Sequence, residues 1–142
     1  MSLQLIAIKA ILIRNENNEP LFLELTRSPN TIYPSEGDLP GGVFDNEKKE
    51  APVTIIQRAL EKQIGVHISA EDLVPVYEWT MAGRPSEYLY CALLDNPAIK
   101  ITSTQYTTFR WVPLRDSEAS NLLPTLKEII FSCKKEIEKV LE

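Results

Sequence analysis

The chain reads as an α+β domain in which a mixed β-sheet lies between helices. β-rich apolar runs recur at 3–14, 20–25, 73–81, 87–94 and 107–112. A helical apolar period appears once in the middle, after Pro52, and a second closes the chain over 121–141. That order, strands then a helix then strands then a helix, suits one sheet covered on both faces. The 142 residues are 44% hydrophobic and contain no internal repeat or linker, so 1–142 reads as one domain able to bury its own core.

Each element has a local cause. The polar run Asn15-Glu16-Asn17-Asn18 separates the first two strands and predicts a hairpin. Residues 28–38 are rich in Ser, Pro, Asn and Gly and predict a loop. Pro40-Gly41-Gly42 forces a tight backbone, since glycine tolerates positive φ and close approach. A helix starts near Pro52, where a missing N–H costs nothing. Val53, Ile56, Leu60 and Ile64 give it one apolar stripe, and Gly65 stops it. Ala82-Gly83-Arg84-Pro85 joins the next two strands, and the strand at 107–112 carries Trp111. In the last helix Leu122, Leu126, Ile129, Ile130, Cys133, Ile137, Val140 and Leu141 form the inner side, while Lys127, Glu128, Lys134, Lys135 and Glu138 solvate the other.

The bulk numbers exclude some functions. A net charge of −5 argues against a nucleic-acid polymer or an anionic membrane as the main partner. No apolar run approaches the roughly 20 residues of a membrane span, and the N-terminus lacks a signal-peptide pattern. Cys91 and Cys133 are expected as buried free thiols, which suits a cytoplasmic location. Two cysteines and the single His67 cannot build the usual structural zinc site.

Gly41-Gly42, Glu50-Ala51-Pro52 and Arg58-Ala59-Leu60-Glu61-Lys62-Gln63-Ile64-Gly65-Val66 together resemble the signature of the Nudix hydrolase family. Glu50 matches the first Glu of that box, residues 51–57 match its spacer, and Arg58, Leu60, Gly65 and Val66 match its later positions. Leu25-Thr26-Arg27-Ser28, Arg110-Trp111-Val112 and Leu122-Leu123-Pro124 are also similar to family segments, so the likeness spans nearly the whole chain. The resemblance implies a Nudix-like α/β/α sandwich of the MutT type. It implies hydrolysis of nucleoside diphosphates linked to another group, with Mg²⁺ or Mn²⁺ held by three glutamates on one helical face.

Those three positions are Ala59, Lys62 and Gln63 here, so the carboxylate face is missing. Lys62 would repel a divalent ion. Two further departures are a loop from Gly42 to Glu50 that is two residues longer than usual and Thr108 where some members place another Glu. Expected ligand contacts are Arg27, Gly41, Gly42, Arg58 and Lys62. Gly41 and Gly42 either form the turn or let a phosphate approach. Glu50 and Arg58 either pair across the loop or take part in catalysis, and Glu47 and Glu50 are the candidates for a relocated metal or catalytic role.

Three readings stay open. The first is a protein that binds a small phosphorylated or nucleotide-like molecule with weak or absent catalysis. The second is a divergent metal-dependent pyrophosphohydrolase using Glu47 and Glu50. The third is a protein-interaction module on the same fold. A homodimer is compatible with each.

Overall fold

Asn17 and Asn18 both adopt left-handed backbone, with φ of 53° and 66°, and fold β1 (Leu5–Glu16) back on β2 (Glu19–Arg27). Two successive positive-φ residues are what a two-residue hairpin with right-handed strand twist requires, and Asn meets that need at low cost. The computed structural model describes residues 4–142, so Leu3, counted in the first strand from sequence, lies outside the described residues.

Among the described residues seven strands form one mixed sheet. β3 (Gly37–Asp38), β2, β1, β6 (Ser86–Leu93) and β5 (Val74–Trp79) lie side by side, β4 (Gly41–Asp45) pairs with β1, and β7 (Tyr106–Pro113) pairs with β2. Of these strand pairs, among the described residues, only β1–β6 is parallel. The short β3 and β4 arise where sequence reading expected loop and turn. Their local composition is poor for strands, but pairing with β2 and β1 supplies the hydrogen bonds that composition does not.

Side-chain alternation along β1 divides the core. Ile6, Ile8, Ala10 and Leu12 pack in one cluster with α1 (Pro52–Ile64), whereas Ile11 and Ile13 pack in another with Leu126, Ile130 and Ile137. Each fully buried Ile or Leu contributes about 1.5–3 kcal/mol of hydrophobic free energy, so both faces need their helical cover. The result is the expected sandwich, with α1 on one face and α2 (Pro124–Ser132) and α3 (Lys134–Val140) on the other.

The helices differ from expectation in two ways. The closing helix begins at Pro124, because Gly37 bonds Asn121 and Leu123 through the backbone and holds 121–123 extended. It then breaks at Cys133, where the Ser132 hydroxyl donates to the Ile129 carbonyl; such back-bonding bends helices. The second difference lies in α1. Its buried face comprises Ile55, Ile56, Ala59, Leu60, Gln63 and Ile64, with Val53 only partly covered. Ala59 and Gln63, read from sequence as a face stripped of carboxylates, are turned towards the sheet.

Cys91 and Cys133 are buried free thiols, as expected. Burial pushes the Cys91 thiol up to about 12 and Cys133 up to about 11. The folded state therefore favours protonated thiols: this contribution is intact below the unfolded pKa of about 8.5 and is lost as pH rises through the folded values. Ellman's reagent at pH 8 should leave both thiols unmodified in the native protein and titrate both in denaturant.

Candidate functional site

The site forms around the turn between β3 and β4. Gly41 stands opposite Lys9 on β1, with a φ of 129°. A Cβ on Gly41 would lie 2.0 Å from the Ile8 carbonyl oxygen, so this position accepts glycine alone. The Gly41 peptide is gripped from the other side by α1. Its N–H donates to Gln63 Oε1 at 2.9 Å, and its carbonyl accepts from Gln63 Nε2 at 2.9 Å.

One residue pair upstream, Asp38 is fully buried with two cations on its carboxylate. Lys9 Nζ donates to Oδ1 at 2.9 Å and Arg27 NH1 to Oδ2 at 2.6 Å. The Leu39 N–H also donates to Oδ1 at 2.8 Å, and Lys9 Nζ reaches the Leu39 carbonyl at 3.2 Å. A buried carboxylate is tolerated only when its lone pairs are filled in this way. Burial lowers the Lys9 pKa, and Asp38 works against that shift. The group of three carries one positive charge in excess.

Lys9, Arg27 and Asp38 form one end of a cavity of about 290 Å³. Tyr33, Tyr77 and Tyr88 add aromatic wall, and Leu89, Leu126 and Ile129 add apolar wall. Glu87 enters from β6 and supplies an acceptor. Burial raises the phenol pKa of Tyr77 and Tyr88, with Glu87 and Glu78 respectively adding to the effect, so both rings are neutral near pH 7. Arg27 Nε is buried and has no hydrogen-bond partner among the described residues. A larger depression of about 760 Å³ lies at the other end of β1, around Arg14, Glu16 and Asp95.

The expected site residues separate into groups. Arg27 lines the cavity. Gly41 is spent on its bonds to Gln63, and the half-buried Gly42 pairs with Ile8. Arg58 is exposed and forms a two-point ion pair with Glu50, NH1 to Oε1 at 3.2 Å and NH2 to Oε2. That bond lowers the pKa of the Glu50 carboxyl, with desolvation working against it. Glu47 is exposed in a loop turn where its N–H donates to the Asp45 carboxylate at 3.1 Å. The Lys62 side chain is exposed on α1, and its carbonyl accepts from the Thr102 hydroxyl.

Lys9 and Asp38 were not singled out as site residues from sequence. Lys9 had a signal: it is the one charge inside the apolar stretch from Leu5 to Ile13. Asp38 had less, since its partners lie 29 and 11 residues away.

The residues at the box do not fit Mg²⁺ or Mn²⁺. Such ions need several oxygen ligands, mostly carboxylate. Ala59 offers none, Lys62 offers a cation, Gln63 Oε1 already accepts from Gly41, and both Glu50 oxygens face Arg58. Among the described residues no three His, Cys, Asp or Glu side chains are grouped to hold a metal ion.

Asp38→Asn should cost about 3 kcal/mol in urea unfolding, because it leaves two largely buried cations without their counter-charge. Gly41→Ala should cost at least about 3 kcal/mol, because its Cβ would occupy the space of the Ile8 carbonyl.

No protein-family model and no curated protein matches the sequence. Solved structures do match the fold. The Nudix domain of Shewanella oneidensis NrtR, solved with ADP ribose, is 22% identical with a TM-score of 0.70, over 97% of this chain and 86% of that one. An Ap4A hydrolase from C. elegans is 16% identical with a TM-score of 0.70, over 95% and 98%. A MutT/nudix family protein from Enterococcus faecalis is 14% identical with a TM-score of 0.75, over 99% and 68%. Helix, sheet and helix thus follow one plan from end to end, and the chain is a domain of the Nudix fold.

Proposed function

We propose that this protein binds a small phosphorylated, nucleotide-like molecule in the cavity lined by Lys9, Arg27 and Asp38 and hydrolyses it slowly or not at all. The observation that carries this reading is the pairing of two features. The cavity has a cationic end and aromatic walls, while the box helix spends Gln63 on the backbone and offers no carboxylate face.

The chemistry of the walls favours a nucleotide over inorganic phosphate. Lys9 retains a third N–H beyond its bonds to Asp38 and Leu39, and Arg27 retains NH2 donors for an anion. Tyrosine rings suit stacking on a base, and Glu87 suits the N–H and O–H groups that a base or ribose presents. Two of the fold neighbours point the same way, since one was solved with ADP ribose and the other is an Ap4A hydrolase. A divergent hydrolase built on Glu47 and Glu50 has less support, since the Glu50 carboxylate already serves as the partner of Arg58.

Calorimetric titration with ADP, ADP-ribose and a dinucleoside tetraphosphate, in EDTA and again in Mg²⁺, tests this reading. At least one should bind in EDTA, and Lys9→Met or Arg27→Met should weaken it by about 10–100-fold, the loss expected for a hydrogen bond to a charged group. Rapid turnover, or binding that appears only with the metal, would count against it.

A further inference from the structure

Gln63 is almost fully buried, and it is held by side chain and backbone alike. Its carboxamide closes a ring with both polar groups of the Gly41 peptide. Its carbonyl accepts from Thr102 N at 2.9 Å, and that of Ile64 accepts from Lys100 N at 2.9 Å. From Gly41 the chain runs directly into the cavity end. Pro40 O accepts from Ala10 N at 3.0 Å, Leu39 O accepts from Lys9 Nζ, and Leu39 N donates to Asp38.

An amide suits this place at any pH. It brings one donor and one acceptor on neighbouring atoms, matching the carbonyl and the N–H of Gly41. An ionised carboxylate has the same shape and no donor, so it would face the Gly41 carbonyl oxygen with a second oxygen. A protonated carboxyl has one of each and can restore the ring.

Building on the ligand reading above, we propose that Gln63 is a positioning residue for the cavity: its carboxamide fixes the Gly41 peptide and thereby the Lys9–Asp38 end, so that a ligand is taken there without a divalent ion. The box helix then acts as a clamp on the β3–β4 turn. Restoring glutamate at position 63 removes the clamp and does not by itself recover a metal site.

The test compares wild type with Gln63→Glu, which keeps the shape and loses the N–H, and Gln63→Met, which loses both polar atoms. Melting temperature and ADP affinity in EDTA are measured from pH 5 to pH 8. At pH 8 Gln63→Glu should melt about 3–9 °C below wild type and bind ADP at least about tenfold more weakly. The new carboxyl is buried, so its folded pKa lies above the unfolded value of about 4.3. Its stabilising form is fully present below that value and is lost as pH rises through the folded pKa. Both deficits should therefore shrink as pH falls towards 5, while those of Gln63→Met persist across the range. Should Gln63→Glu fail to fold at pH 8, its recovery of the fold at pH 5 supports the clamp equally.

Equal melting at pH 8, or deficits in Gln63→Glu that ignore pH, would overturn the clamp. The expected melting pattern with unchanged ADP affinity would make Gln63 structural only and overturn its positioning role. If wild type does not bind ADP, the reading of the cavity as a site for this ligand falls, and hydrogen exchange at Leu39 N–H becomes the readout. Faster exchange in Gln63→Glu at pH 8 then supports the clamp, and exchange equal to wild type overturns it.

Discussion

The Gly41 peptide is the point on which the rest of the site depends. One face lies so close to β1 that no side chain fits, and its polar groups are taken by Gln63. This packing sets where the chain turns from β3 into β4, and so where Asp38 stands in the interior. Asp38 in turn draws Lys9 and Arg27 together from two strands. Without that carboxylate the two cations would repel each other in a poorly solvated place. The cationic cavity end is thus a consequence of how one glycine is wedged between a strand and a helix.

Function follows from where charge has been kept and where it has not. The cavity keeps a cationic group at Lys9, Arg27 and Asp38, balanced over the whole lining by the acidic acceptor Glu87, and three tyrosines. The helix that borders the turn carries Ala59 and Gln63 inward and Lys62 outward. Its end is tied to residues 100–102 by backbone bonds, which makes it a stiff support. From the opposite face of the sheet this support steadies the turn that follows Asp38, so less ordering of the cavity lining remains to be done when a ligand arrives.

Much of this was legible in the sequence, for identifiable reasons. Pro52 and Gly65 mark the ends of α1 because each acts on its own backbone, and Asn17-Asn18 marks the hairpin for the same reason. Gly41-Gly42 was legible as a place of tight backbone, although both residues open strand β4 after the turn at Leu39-Pro40, and Glu50 with Arg58 was legible as an ion pair, since seven intervening residues bring the loop against the first turns of the helix. The Asp38 cluster was not legible, because its members meet only once β1, β2 and β3 are aligned. Gln63 was visible but read by what it replaced. The burial of Ile55 and Ala59 shows that the inner face of α1 is broader than the Val53–Ile56–Leu60–Ile64 stripe, and position 63 lies within it. Terminal helix length was overestimated because apolar spacing continues through Cys133, whereas Ser132 and the Gly37 pairing, which set its breaks, act through hydrogen bonds that periodicity does not record.

At the centre of this picture the box helix clamps the turn and does not hold a divalent ion. Electron paramagnetic resonance of free Mn²⁺, titrated with the wild-type protein near pH 7.5, addresses that point directly. The free-ion signal should stay essentially undiminished at protein concentrations up to about a millimolar, since several oxygen ligands are needed and the box does not provide them. Loss of the signal at micromolar protein, reversed by excess Mg²⁺, would contradict it.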